Sequence, residues 1–219
     1  MDQMAKGLLF GAAVLSQAAA GCFPAAAASI DRVRIRLAAE ELEASDLVTV
    51  IDSANLSTGI GLLVIEAAIM AQEGKTAGEI TAVIEELKPK VRASFVVDTL
   101  VYLYRGGRCN AVSAMAGSVL KLHPKIVVEN GAMDASKKYR GKLSKVITAY
   151  VKDMEEELKD ARPDRVFITH SGCDREVVEA VRTYLENLEV FKEVLETRAG
   201  GVISCHCGPG TLGVLFISQ

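Results

Sequence analysis

The sequence has no tryptophan, and its six phenylalanines and five tyrosines bring aromatic residues to only 5% of 219 positions. Platforms on which nucleic acid bases could stack are therefore scarce. An excess of either charge is also missing, because 25 Lys and Arg stand against 28 Asp and Glu for a formal net charge of −3. No basic stripe of the kind that neutralises phosphates is visible, and with so few aromatics this excludes nucleic acid as a partner. Cysteine is sparse, with five residues (Cys22, Cys109, Cys173, Cys205 and Cys207) at irregular spacings. An odd, irregular set is not a disulfide framework, so a reducing compartment fits best. Also missing are a nucleotide loop, a catalytic carboxylate pair and a nucleophile elbow. The "STGIG" stretch around Gly59 and Gly61 lacks the rest of a dinucleotide fingerprint and suits close helix packing instead.

What the chain does have is apolar bulk: half its residues are hydrophobic, enough for one large domain or two small ones with cores of their own. Residues 1–28 are atypical. One lysine, Lys6, precedes an apolar stretch from Gly7 to Gly21 and a run of small residues around Cys22, in the manner of a secretory or lipoprotein signal. Asp2 offsets the lysine, and Ser16 and Gln17 interrupt a stretch too short to span a bilayer. A signal-like leader and a mis-started or frame-altered N-terminus both remain open.

From residue 29 to 93 the pattern reads helix, strand, helix. "DRVRIRLAAEELEASD" is a helix, "LVTVIDS" (Leu47 to Ser53) a short β-rich run, and "LSTGIGLLVIEAAIMAQEG" an apolar helix closed by Gly74. Thr76 and Glu79 make a capping box for a further helix with Ile80, Val83, Ile84 and Leu87 on one stripe. Asp52 and Ser53 could cap the apolar helix or line a pocket at the carboxyl edge of a sheet. Leu62, Ile65, Ile69 and Met70 could line a ligand tunnel or belong to the core. A single strand cannot make a sheet, so this region reads as an incomplete parallel α/β domain.

Residues 94–219 read as a second, α+β domain. "FVV" is extended, Asp98 or Thr99 caps a short helix, Gly106-Gly107 stops it, and Arg108 follows. A helix holds Ala114 to Leu120, and "KIVVENGAMDA" is a hairpin about Asn130-Gly131. One long helix carries Leu143, Val146, Ile147, Tyr150, Val151, Met154 and Leu158 on a stripe. Then come a strand "RVFITH", a helix "REVVEAVRTYLENL" and three extended runs, "VFKEVLETR", "GVISCHC" and "LGVLFIS". His170 and Ser171 fall at a strand-end turn.

In "GVISCHCGPGTLGVLFIS" a histidine lies between two cysteines before Gly208-Pro209-Gly210. On a strand, Cys205 and Cys207 share one face and His206 takes the other, so the three cannot converge on one metal. His123, His170 and Cys173 have no zinc-like spacing to them, which leaves buried apolar thiols as the preferred reading. The glycines allow close backbone approach and Pro209 stiffens the turn, so His206 is held in a fixed place that suits either ligand contact or a structural hydrogen bond.

The segments "DSANLSTGIGLLVIEAAIMAQEG", "FVVDTLVYLYRGGR", "HPKIVVENGAM", "KKYRGKLSKV", "VFITHSG" and "SCHCGPGTLGVLFIS" occur in an order and spacing that resemble the DegV family, bacterial fatty-acid-binding proteins that include the lipid carrier subunit of fatty acid kinase. The resemblance implies a two-domain fold, with an N-terminal parallel α/β domain, here apparently truncated, and a C-terminal domain with a mostly antiparallel sheet. It implies a cytoplasmic carrier that is not an enzyme. Such a carrier holds a fatty acid such as palmitate in a tunnel between its domains, needs no cofactor or metal, and makes transient membrane contact at most. Its partner is the fatty acid kinase catalytic subunit, which would phosphorylate the presented carboxylate. Head-group contacts are implied for His206, Cys207, Gly208, Pro209 and Gly210, for Ser53, and for Arg108 at the site or partner surface. Backbone N–H groups at the glycine turn are expected to join the His206 imidazole as donors. Relatives also carry a Ser- and Thr-rich turn before the first helix, where this sequence reads "AAAASIDRV". A small phosphotransferase or hydrolase using His206, and a truncated paralogue that binds nothing, stand as alternatives.

Overall fold

A computed structural model describes residues 35–106 and 122–219. Arg108, Cys109, the helix expected over Ala114 to Leu120 and residues 1–28 lie outside the described residues. The chain forms two compact units: one runs through Lys90 and includes Asn130–Ala132, and the other comprises Val91–Glu129 and Met133–Gln219.

The first unit is helical among its described residues. Helix α1 covers 35–41, α2 Ser57–Gln72 and α3 Ala77–Leu87. The Thr76 capping box is formed: its Oγ1 accepts from the Glu79 amide at 3.3 Å, and its own amide donates to Glu79 Oε2 at 2.8 Å. Ile80, Ile84 and Leu87 are buried as the spacing predicts, but Val83 sits on the exposed flank. Ile60, Leu62, Leu63 and Ala67 bury one side of α2, whereas Ile69 is exposed. The strand expected at Leu47–Ser53 does not form: Ser45–Leu47 is a 3₁₀ turn, and 48–53 belong to no strand. Extended backbone becomes a strand only beside a partner ladder, and none is formed with 48–53 among the described residues.

The second unit is a six-stranded mixed sheet with the order β3-β2-β1-β6-β4-β5. Its strands are β1 (Val91–Val96), β2 (Leu122–Glu129), β3 (Ala132–Arg140), β4 (Arg165–His170), β5 (Glu193–Arg198) and β6 (Leu212–Ile217). The β1–β2, β1–β6 and β4–β6 pairs are antiparallel and β4–β5 is parallel. Asn130 and Gly131, both at positive φ (51° and 78°), turn β2 into β3 as the dipeptide predicts.

Helix α4 covers Val101–Arg105, with Thr99 Oγ1 accepting from its first amide at 3.3 Å. The expected long helix divides at Met154 (φ −93°, ψ 4°) into α5 (Leu143–Asp153) and α6 (Glu155–Lys159). Its apolar stripe survives the break, because Val146, Ile147, Tyr150, Val151, Met154 and Leu158 are all buried. Helix α7 (Arg175–Asn187) adds Val178, Val181 and Leu185 to the same core, against Val166 and Ile168 of β4 and Leu212, Val214 and Phe216 of β6.

Tyr150 reaches into the middle of this sheet. Its hydroxyl donates to the Ser94 carbonyl at 2.8 Å and accepts from the Val214 amide at 3.0 Å, and Ser94 and Val214 are register partners in β1 and β6. Ser94 Oγ lies 2.9 Å from the same hydroxyl. Burial pushes the Tyr150 phenol well above its ordinary pKa, so it remains a donor. Replacing Tyr150 with Phe strands these buried backbone groups and should cost roughly 1–3 kcal/mol of stability, read from the urea midpoint.

Beside the sheet's parallel pair, Glu196 ties β5 to α7. It accepts from Arg182 at 3.1 Å, from Arg175 at 3.0 Å and from His170 Nε2 at 3.3 Å. Burial works against its charge, but the Arg182, His170 and Arg175 interactions outweigh it and hold the carboxyl below the usual glutamate range. A depressed folded pKa contributes stability above about pH 4.3 and loses it as pH falls through the folded value. Wild type should therefore lose stability more steeply below that pH than E196Q, as measured by denaturation at stepped pH.

Candidate functional site

The run Gly201–Cys207 is not a strand but a seven-residue helix, α8. Cys205 and Cys207, two residues apart, therefore point about 200° away from each other rather than to one face. Cys205 is exposed and Cys207 buried. Among the described residues there is no group of three or more His, Cys, Asp or Glu that could hold a metal ion.

Helix α8 stops at Gly208 (φ 79°, ψ 171°), a backbone conformation that a side chain would strain. Glycine is required there for space as well, since a β-carbon at 208 would run into the Tyr102 ring on α4. The reverse contact is made by Gly106, at the end of α4, where a β-carbon would collide with Nδ1 of His206. Helices α4 and α8 thus interlock, each accepting an aromatic ring from the other over a bare glycine. His206 is half-buried in the last turn of α8.

The turn itself is tied to the loop after β4. Ser171 N–H donates to the Thr211 carbonyl at 2.9 Å, and its carbonyl accepts from the Gly210 amide at 3.3 Å. Its hydroxyl donates to the Gly208 carbonyl and accepts from the Thr211 amide at 3.3 Å. Cys173 Sγ donates to the Gly210 carbonyl at 3.2 Å. Burial, with the nearby Asp174 charge, pushes that thiol up to about 11, so it keeps its proton. Thr211 Oγ1 closes the arrangement by donating to the Cys207 carbonyl at 2.9 Å.

These bonds correct one expectation about donors. The Gly208 amide donates to Ser204, the Gly210 amide to Ser171, and Pro209 has no N–H, so the turn's glycine amides are already engaged within the protein. What the turn supplies is shape, with the His206 ring placed beside it over Gly106.

The sequence-predicted residues divide three ways. His206, Cys207, Gly208, Pro209 and Gly210 are brought together by α8 and its turn, with Pro209 exposed. Ser53 lies in the first unit, fully buried, where its hydroxyl accepts from the Asn55 amide at 3.3 Å. Asp52 likewise accepts from the Ala54 amide at 2.9 Å. Neither caps α2, whose N-cap Leu56 has no side-chain cap bond. Arg108 lies outside the described residues, two positions beyond the Gly106 that contacts His206. Tyr102, Ser171 and Cys173 were not singled out as site residues by sequence; only the unusual glycines opposite them offered a hint. His170 and Ser171 do form the strand-end turn expected of them, with Cys173 N–H donating to His170 Nδ1 at 3.2 Å.

The family described as uncharacterised DegV matches residues 25–219. This chain belongs to the DegV family. A DegV domain-containing protein of Deinococcus radiodurans is 32% identical over 179 residues, which are 82% of this chain and 62% of the relative. The chain spans about three-fifths of the length of such curated DegV relatives. A DegV family protein from Thermus thermophilus, described for fatty acid binding, matches with a TM-score of 0.71 at 27% identity, covering 86% of this chain and 76% of that one. DegV from Bacillus subtilis, described as a fatty acid binding protein, matches with a TM-score of 0.69 at 27% identity, over 86% of this chain and 66% of that one. The DegV fold, with its mixed C-terminal sheet, is therefore the fold of this protein. No helix among the described residues is long and apolar enough to cross a membrane.

The α4–α8 interlock depends on a bare carbon at position 208. G208A should lose roughly 1–3 kcal/mol of stability through overpacking, beyond the backbone strain, and a thermal melt compared with an alanine at exposed Gly78 checks it.

Proposed function

We propose that this protein is a non-enzymatic carrier that binds a long-chain fatty acid and presents its carboxylate at the α8 turn. The observation that carries the reading is the half-buried His206 ring, fixed over Gly106 beside a turn whose own glycine amides are engaged. Two DegV proteins of 27% identity that are described as fatty acid binders support the choice of ligand.

The energetics suit such a ligand. Burying a sixteen-carbon tail at roughly 0.8 kcal/mol per methylene yields on the order of 10 kcal/mol before ordering costs, and needs only apolar walls. The carboxylate is the costly part, because it leaves water and must receive charge-assisted hydrogen bonds in exchange. His206 offers one such donor. Cys207 and Gly208–Pro209–Gly210 shape its surroundings, and Ser53 and Arg108 are further head-group contacts in this reading, with Arg108 at the site or the partner surface. A bound fatty acid such as palmitate is the ligand, and no cofactor is required. The partner is a fatty acid kinase catalytic subunit acting on the presented carboxylate, in the cytoplasm, with at most transient membrane contact during acyl exchange.

Mass spectrometry of lipid extracted from the purified protein should find stoichiometric fatty acid. H206A should weaken palmitate binding by about 1.5–3 kcal/mol, the range for a hydrogen bond to a charged group, or roughly 10- to 150-fold in Kd by calorimetry. Unchanged affinity, or turnover of an acyl or phosphoryl substrate by the isolated chain, would overturn the carrier reading.

A further inference from the structure

The geometry points to Ser171 as a positioning residue for the ligand site: it fixes the Gly208–Thr211 turn and, through that turn, the direction in which His206 faces. The inference rests on the carrier reading for its effect on affinity, but not for its effect on His206.

Ser171 belongs to the loop between β4 and α7, far in sequence from the turn it holds. It meets that turn four times, with its amide on the Thr211 carbonyl, its carbonyl under the Gly210 amide, and its hydroxyl between the Gly208 carbonyl and the Thr211 amide. Two of the four are side-chain bonds and are lost with the hydroxyl. Gly208 and Thr211 are buried, so each backbone group left behind lacks a partner in a place water does not readily reach.

The turn can relax only at its two glycines, both at positive φ (79° and 75°). Pro209 fixes its own φ, and Gly210 keeps its backbone bond to the Ser171 carbonyl, so the lost hydroxyl acts first on Gly208, whose positive φ and extended ψ hold the 208 carbonyl toward Ser171. Gly208 also packs its bare face on Tyr102 and directly follows the last turn of α8. Rotation there unlocks the Tyr102–Gly208 half of the interlock, and the His206–Gly106 half follows because both lie on the same pair of helices. Ser171 therefore acts on the ligand through His206 and touches no ligand atom itself.

Three variants, S171A, S171T and S171C, separate this from a general loss of structure. S171A should weaken palmitate binding about tenfold by calorimetry, in keeping with hydrogen bonds lost, and S171T, which keeps the hydroxyl, should restore it. In the H206A background S171A should add little, because the two changes act on one donor. S171C, close in size with a weaker donor, should fall between and covers the case in which S171A does not fold. Equal affinities for S171A and S171T, or an S171A effect that simply adds to that of H206A, would overturn the proposal. Nitrogen NMR of the imidazole rings on lipid-free protein gives a readout independent of fatty acid: S171A should shift the His206 ring signals and leave His123 unmoved. If wild type carries no fatty acid, the carrier reading fails; if the His206 ring signals also stay unchanged in S171A, the positioning role fails with it.

Discussion

A single phenol sits where the second unit could least tolerate a gap. Tyr150 rises from α5 between two central, paired strands and bonds to the carbonyl of one and the amide of the other. A hydroxyl in that place joins the helical layer to the sheet by direction as well as by apolar contact, because hydrogen bonds fix orientation where burial alone does not. Its reach extends to the candidate site. Val214 lies four residues after Gly210, so the strand that Tyr150 pins is the strand that the Gly-Pro-Gly turn feeds.

The candidate site is held by packing for a related reason. Its histidine, tyrosine and two glycines are arranged in pairs, ring against bare backbone, and the loop after β4 holds the turn from behind. Such an arrangement offers side chains placed by packing on a backbone whose glycine amides are already engaged.

Much of this was legible in the sequence wherever the signal was local. The Thr76–Glu79 box, the Asn130-Gly131 hairpin, the stripe from Val146 to Leu158 and the strand Arg165–His170 each follow from a few adjacent residues, and each is present. Gly201–Cys207 was misread because seven residues rich in β-branched and cysteine side chains carry no period that separates a short helix from a strand. Its helical form depends on α4 packing beside it, a contact made across about a hundred residues. Leu47–Ser53 failed for the complementary reason, since extended propensity has no effect without a neighbouring strand. In the site, His206 and the turn stood out by composition, but Ser171, Tyr102 and Cys173 are ordinary residues until folding brings them to glycines far away in sequence.

The strand order carries a consequence for how the protein is made. β6 is the last strand in sequence, yet it lies between β1 and β4, buried along its whole length. During synthesis the β1–β2–β3 meander and the β4–α7–β5 crossover can each take shape first, but they have no shared edge until residues 212–217 emerge. Until then both halves expose an unpaired inner strand, the kind of edge on which chains associate wrongly. The ribosome delivers the keystone of this sheet last, together with the turn just before it, so the candidate site is assembled in the same step that closes the sheet.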